Sequence, residues 1–193
     1  VSQSKPCANK NPCFLCVIMN KEQIIQEIFH LYELHGADDY IGEAISQIEH
    51  ASQSAELAIK EGFDEEVILA AFFHDIGHIC AKKDPKNDMG GYGMLRHERV
   101  GANYLRRKGF SEKIAKLIEN HVEAKRYLCF KHPEYFEKLS EASKATLEFQ
   151  GGRMTKEEAE KMRQQQPNED DKATKMRQWM GLAPLQGGNG NHG

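Results

Sequence analysis

The stretch that decides the fold is Phe73-His74-Asp75-Ile76-Gly77-His78, in which a histidine and a carboxylate follow an apolar segment. Residues 67–73 are apolar all round, and this predicts a buried central helix that breaks at Gly77. Taken alone, a His-Asp pair is a weak signal because it often arises by chance. Its meaning depends on which residues the rest of the chain brings to it.

Apolar residues at helical spacing predict further helices on both sides of this stretch. One helix ends at Gly36, and the predicted segments that follow are Glu43–Lys60, His97–Lys108 and Ser111–Leu128, with weaker helices at Lys156–Gln164 and Lys172–Met180. Pro85, Gly90 and Gly91 mark residues 82–92 as a loop between two histidine-bearing helices. Alternating strand patterns are absent from the sequence, so the predicted fold class is all-α.

Four histidines and one aspartate form the chemically informative set. His50, His97 and His121 each lie on a predicted helix or at its end, as do His74 and Asp75. Successive helices can direct all five side chains into one cavity. Imidazole and carboxylate ligands suit iron, manganese, zinc or cobalt, and Asp75 is placed to bridge two such ions. Four of the other five histidines are expected at the surface: His30, His35, His132 and His192.

Bulk composition excludes several classes of function. Lys and Arg total 26 against 29 for Asp and Glu, a net charge of −3, so nothing favours a nucleic-acid partner. No apolar run approaches the roughly 20 residues that a membrane span needs. We therefore expect a soluble, cytoplasmic protein. The five cysteines form no disulfide framework, and Cys13 and Cys16 have the spacing of only half a zinc knuckle.

The length of 193 residues fits one domain. The segment before Met19 is rich in Ser, Lys, Asn and Pro, so we interpret residues 1–18 as a disordered leader. We expect the domain to cover residues 19–182 and residues 183–193 to be a disordered tail.

The order His, His-Asp, His, His on successive helices is the signature of the HD superfamily. Within it the chain resembles the PhnZ-type diiron oxygenases from about Asp39 to Gln178. The resemblance rests on residues 39–45 (DYIGEAI), 73–78 (FHDIGH), 89–93 (MGGYG), 97–102 (HERVGA), 121–127 (HVEAKRY) and 146–152 (TLEFQGG). It implies an HD-domain helical bundle with a buried dinuclear site.

The resemblance also implies a reaction. Members of that family hold a mixed-valent Fe(II)/Fe(III) pair, use dioxygen as co-substrate, and oxidise 2-amino-1-hydroxyethylphosphonate to glycine and phosphate. The iron ligands expected here are His50, His74 and Asp75 for one ion, and Asp75, His97 and His121 for the other. Tyr40 would fill the open position of the second ion until substrate displaces it.

The same resemblance assigns a substrate pocket. Glu43 would move with Tyr40 and receive the substrate's ammonium group. The residues that match polar positions around the phosphonate are Lys125, His78, Ser143, Gln150 and Arg177. A phosphonate carries up to two negative charges, which Lys125, Arg177 and a protonated His78 would neutralise.

Two rival functions and one departure from the family pattern stay open. A metal-dependent phosphohydrolase would use the same His/Asp set, and a catalytically impaired metal-binding remnant is the second rival. Met180 stands where the family pattern has an aspartate ligand of the first iron, and a thioether is a poor substitute for a hard carboxylate. A trimethylated amine substrate is also open, although the Tyr40/Glu43 pair favours a primary amine.

Overall fold

A computed structural model describes residues 20–40, 44–81, 86 and 88–165 of the chain. The predicted leader (1–18), the helix predicted at Lys172–Met180 and the predicted tail (183–193) lie outside these described residues. The domain boundaries therefore stay predictions.

Helices make up the regular structure of the described residues, and this confirms the all-α fold class. They are α1 Lys21–His35, α2 Gln47–Lys60, α3 Glu65–Phe73, a 3-10 helix Ile76–His78, α4 His97–Arg107, α5 Glu112–Glu119, α6 His121–Lys131, α7 Pro133–Glu137, α8 Glu141–Phe149 and α9 Lys156–Gln165. Among the described residues, β-pairing is limited to two isolated bridges, Asp39 with Ser46 and Asp88 with Met94. No described helix is both long enough and apolar enough to cross a membrane.

Helix α2 begins later than the sequence suggested. Its N-cap is Ser46, whose hydroxyl accepts from the Glu49 N–H while the Glu49 carboxylate accepts from the Ser46 N–H, and this reciprocal capping sets the start at Gln47. Tyr40 lies before the helix, where its N–H donates to the Ile45 carbonyl oxygen at 2.8 Å. The prediction that residues 43–60 form one helix was therefore wrong at its N-terminal end.

The segment predicted as one helix over Ser111–Leu128 is two helices, separated at Asn120 (φ −97°, ψ −1°). The Ile118 carbonyl oxygen accepts from Nδ1 of the His121 ring at 2.8 Å. In a continuous helix that oxygen would accept from the backbone N–H four residues later. The break therefore places His121 at the first position of α6 with its ring tied to the end of α5.

Helices α7 and α8 were not predicted from the sequence. They are short, and α7 begins at Pro133, which acts as a breaker for the helix before it and as a favourable first residue for its own. Together with α6 they enclose an apolar cluster of Leu128, Cys129, Tyr135, Leu139 and Leu147. This cluster fixes α8 beside α6, which carries His121.

The 3-10 helix Ile76–His78 packs directly on the start of α4. A side chain at Gly77 would place its Cβ 1.9 Å from the His97 carbonyl oxygen, so only glycine allows this approach. Ile76 is 1% exposed and belongs to the main core, which α1, α2, α3, α4 and α5 share. The close packing brings the His74-Asp75 pair next to His97.

Candidate metal centre

The structure brings together the five side chains that the sequence singled out. His50, His74, His97 and His121 are between 2% and 8% exposed, and the Asp75 side chain is 13% exposed. Each comes from the end of a helix: His50 from the first turn of α2, His74 from the end of α3, and His97 and His121 from the first positions of α4 and α6. The result is a buried cluster of imidazoles around one carboxylate.

The cluster divides into two pairs, one at each oxygen of Asp75. His50 and His74 have their Nε2 atoms 3.0 Å apart and lie 3.6 and 3.2 Å from Asp75 Oδ2. His97 and His121 have their Nε2 atoms 3.0 Å apart and lie 3.1 and 3.6 Å from Asp75 Oδ1. A bridging carboxylate needs this geometry, in which each oxygen faces its own set of nitrogens.

Three of the four rings are oriented by the same local hydrogen bond, from Nδ1 to the backbone carbonyl three residues earlier. The bonds run from His74 to Ala71 at 2.7 Å, from His97 to Met94 at 3.1 Å and from His121 to Ile118 at 2.8 Å. A proton on Nδ1 leaves the Nε2 lone pair directed into the cluster. Metal-binding histidines are usually fixed by this kind of second hydrogen bond.

The donor set fits two metal ions. Metal–imidazole bonds of about 2.1 Å at right angles place two nitrogens about 3.0 Å apart, which is the spacing within each pair. Two lone pairs facing each other at that distance repel unless a cation or a proton lies between them. Two groups have all their ligand atoms within 4.8 Å of one another: His50, His74 and Asp75, and Asp75, His78 and His97.

The pKa values of Asp75 and His74 depend on each other, because the two side chains are in contact. Burial alone would raise the pKa of Asp75, but the neighbouring His74 and His97 imidazoles hold it well below its usual value. Burial would likewise lower the pKa of His74, but the Asp75 carboxylate raises it, with the Lys125 ammonium opposing that rise. Asp75 is therefore an anion, as a metal-bridging ligand must be.

Tyr40 lies over the His50/His74 side of the cluster. Its ring stacks on the His50 ring with centroids 3.8 Å apart, and its hydroxyl donates to Asp75 Oδ2 at 2.9 Å. The sequence placed Tyr40 instead at the open position of the metal held by His97 and His121. Coordination by Tyr40 stays a prediction, and the contact that the structure provides is a hydrogen bond to the bridging carboxylate.

His78 does not have the charge that the sequence analysis gave it. Its Nδ1 accepts from the Met94 N–H at 3.1 Å, and its ring stacks on His97 with centroids 4.1 Å apart. Burial, with further contributions from the nearby histidines, lowers the pKa of His78 to about 3. The expectation of a protonated His78 is therefore wrong, and its neutral ring has only an Nε2–H to offer as a donor.

Lys125 and Ser143 meet between α6 and α8. The Lys125 ammonium donates to the Ser143 carbonyl oxygen at 3.1 Å and to the Thr146 hydroxyl at 3.3 Å. The Thr146 hydroxyl donates in turn to the Ser143 carbonyl oxygen at 3.0 Å. Thr146 is 8% exposed and was not singled out from the sequence, because a threonine within a helix carries no distinctive signal.

Gln150 ends α8 and has a buried Oε1 atom with no hydrogen-bond partner among the described residues. Such an atom indicates a missing ligand or solvent partner. Glu43, Arg177 and Met180 lie outside the described residues, so their expected roles stay predictions. Met94 carries no signal in the sequence, yet its backbone N–H contacts His78 and its carbonyl oxygen contacts His97.

Fold and site together define a helical protein with a buried His/Asp cluster that could hold metal. The family model for the HD domain matches residues 47–170. Three relatives align with the chain. A protein of Acanthamoeba polyphaga mimivirus is 49% identical over 142 residues, which is 72% of this chain and 65% of that protein.

The other two relatives are named as enzymes. The [1-hydroxy-2-(trimethylamino)ethyl]phosphonate dioxygenase (glycine-betaine-forming) of Leisingera caerulea is 38% identical over 145 residues, 72% of this chain and 70% of that protein. The hydroxymethylphosphonate dioxygenase of Gimesia maris is 39% identical over 131 residues, 68% of this chain and 64% of that protein. The chain belongs to the HD-domain family and spans about two thirds of the length of these relatives.

Proposed function

We propose that this protein is an iron-dependent oxygenase that cleaves the carbon–phosphorus bond of a small 1-hydroxyphosphonate, with 2-amino-1-hydroxyethylphosphonate as the first candidate. The observation that carries the proposal is the Asp75 carboxylate, each oxygen of which faces a pair of histidine nitrogens. Homology to two phosphonate dioxygenases supports it. The reaction balances, because the substrate plus one dioxygen gives glycine plus phosphate.

The protein's own contribution is binding, orientation and charge. His50, His74 and Asp75 would hold one ion, and Asp75, His97 and His121 the other. Two iron ions bound there would supply the activation of dioxygen and the oxidation of the substrate carbon. Protein groups would keep the substrate in place while this chemistry occurs.

Substrate recognition would fall to residues around the cluster. The Lys125 ammonium would neutralise part of the phosphonate charge, while the neutral His78 would donate one hydrogen bond from Nε2. Ser143, Gln150 and Arg177 would complete the pocket, and Glu43 would receive the substrate's ammonium group. The Tyr40 hydroxyl would leave Asp75 when substrate arrives.

Oxygen uptake under controlled iron loading tests this function. The protein is loaded with iron without oxygen, then given oxygen and one of three substrates: the primary amine, its trimethylated form, or hydroxymethylphosphonate. We expect uptake with one phosphate released per dioxygen consumed. Phosphate release from a phosphate ester without oxygen uptake would show the rival phosphohydrolase, and metal binding without turnover of any compound would show the non-catalytic remnant.

Replacement of Tyr40 by phenylalanine should separate its two contacts. The phenyl ring keeps the stack on His50, so metal content should stay at the wild-type level, while the loss of the hydroxyl should change the visible absorption of the substrate-free ferric protein. Tyr135→Phe is the control, because that buried hydroxyl has no hydrogen-bond partner among the described residues. A spectrum that Tyr40→Phe leaves unchanged would count against direct coordination.

Replacement of Lys125 by methionine should weaken substrate binding. Loss of a part-buried ammonium opposite a dianion should lower kcat/KM for the phosphonate by about 100-fold, mainly through KM. Lys144→Met is the matched control, because Lys144 lies on α8 and its ammonium contacts the exposed Glu141 carboxylate and the Phe136 ring, so its loss should change kcat/KM less than about twofold. If both substitutions changed kcat/KM equally, Lys125 would not be a residue of the phosphonate site.

A further inference from the structure

Arg126, the neighbour of Lys125 on α6, holds the turn that follows α8. Its Nε donates to the Gly152 carbonyl oxygen at 2.9 Å and its Nη2 donates to the Gly151 carbonyl oxygen at 3.2 Å. Nη2 also lies 2.9 Å from Glu158 of α9, and the Arg126 carbonyl oxygen accepts from the Met154 N–H at 3.4 Å. We call residues 150–154, which this one arginine contacts on both sides, the α8–α9 turn.

The turn is shaped to receive the guanidinium group. Gly151 and Gly152 have φ angles of +102° and +69°, and their N–H groups donate back to the Glu148 and Leu147 carbonyl oxygens, which closes the end of α8. A Cβ at Gly151 would lie 3.3 Å from Cζ of Arg126. The glycine therefore provides both the backbone conformation and the space against the guanidinium.

The same turn determines where the polar end of α8 lies. Gln150, with its buried and unpartnered Oε1 among the described residues, is the first residue of the turn. Its neighbour Phe149 reaches across to Gly90, where an added Cβ would lie 3.3 Å from the Phe149 ring. Movement of the turn would therefore shift Gln150 and also the contact of α8 with the loop before α4.

We propose that Arg126 is a positioning residue for the phosphonate pocket. Lys125 contacts the middle of α8 at Ser143 and Thr146, and Arg126 contacts the α8–α9 turn, so two consecutive residues hold the helix and the turn that follows it. Arg126 acts on substrate through Gln150 and does not itself touch it. This inference rests on the proposed function for its substrate and on the contacts above for its geometry.

The two carbonyl oxygens of the α8–α9 turn require a planar guanidinium group as their donor. The ion pair with Glu158 contributes little by itself, because the Glu158 side chain is 44% exposed. The carbonyl oxygens of Gly151 and Gly152 are backbone groups that need two donors at a fixed separation, and Arg126 provides them while only 14% exposed. A lysine would keep the charge but would not provide this paired geometry.

The test compares Arg126→Met and Arg126→Lys with Arg106→Met, which removes an arginine whose partners are the carboxylates of Glu112 and Glu119. Hydrogen exchange of residues 150–154 is measured without substrate, and metal content, kcat and KM for the phosphonate are measured on iron-loaded protein. We expect both Arg126 variants to exchange faster in the turn and to raise KM about tenfold. Metal content and kcat should stay near wild type, and Arg106→Met should change none of these quantities.

Several results would overturn the inference. Unchanged exchange in the turn would show that Arg126 does not hold it, and faster exchange with unchanged KM would show that the turn does not position substrate. Wild-type exchange and KM in Arg126→Lys would show that the positive charge alone accounts for the role of Arg126. If the Arg126 variants do not fold, Gly151→Ala, which pushes the turn off the guanidinium, must raise KM in the same way or the inference fails. Absence of turnover in the wild type would instead refute the proposed function, while the exchange measurement would still decide whether Arg126 holds the turn.

Discussion

Asp75→Asn should reduce bound metal from two ions per chain to less than one and abolish oxygen uptake with the phosphonate. The amide keeps the shape of the carboxylate but loses the negative charge that both ions share, and its NH₂ group faces histidine nitrogens that lie 3.1 or 3.2 Å from the present oxygens. Loss of an outer partner of a metal ligand costs 10- to 100-fold in affinity, so loss of a ligand shared by two ions should exceed about 100-fold. Metal-to-protein ratios after iron loading and gel filtration measure the effect.

The control for this prediction is Asp38→Asn. Its carboxylate is 58% exposed and lies 3.4 Å from His35 Nδ1, outside the cluster. We expect it to bind metal as the wild type does. If Asp75→Asn still bound two ions tightly, the Asp75 carboxylate would not bridge two metal ions. The assignment of a dinuclear site would then be wrong.

Gly77→Ala should destabilise the fold and the metal centre together. The new Cβ would lie 1.9 Å from the His97 carbonyl oxygen and 2.7 Å from the His97 carbonyl carbon, so the 3-10 helix and α4 must separate. Overpacking against rigid backbone should cost about 3 kcal/mol in the free energy of unfolding. Urea denaturation of chelator-treated protein measures that cost without any contribution from bound metal, and a separate iron titration measures the loss of metal affinity.

Gly62→Ala separates steric conflict from backbone strain. Gly62 has φ +76°, and an added Cβ would meet nothing within 4 Å. Its replacement should cost only the strain of a left-handed alanine, about 1 kcal/mol, and should leave metal binding intact. Similar stabilities for the two variants would show that the close approach of Gly77 to His97 does not matter.

The five residues of the cluster could be predicted from the sequence, because the order His, His-Asp, His, His recurs on successive segments with helical apolar spacing. Asp75 was expected to bridge two ions, and the structure places its two oxygens between two histidine pairs. The break at Asn120 could not be predicted, because both flanking segments have good helical patterns. At the break Asn120 has φ −97° and ψ −1°, and the His121 ring donates to the Ile118 carbonyl oxygen, a contact that apolar spacing does not reveal.

The charge of His78 and the partners of Lys125 could not be predicted from the sequence, because both depend on contacts between distant parts of the chain. His78 is neutral because it is buried and accepts from the Met94 N–H, which lies 16 residues away along the chain. Lys125 was placed on the same helical face as His121 by its spacing of four. Its hydrogen bonds, however, go to α8, a helix whose pattern was too short to predict.

One residue, Met94, contacts two rings of the site through its backbone. The Met94 N–H donates to His78 and the Met94 carbonyl oxygen accepts from His97, so the orientations of these two rings depend on the same residue. A force applied to either ring is transmitted to the other through Met94. If the proposed metal and substrate bind there, the coupling is reciprocal in free energy: by whatever factor metal at His97 improves anion binding at His78, the anion improves metal retention by the same factor.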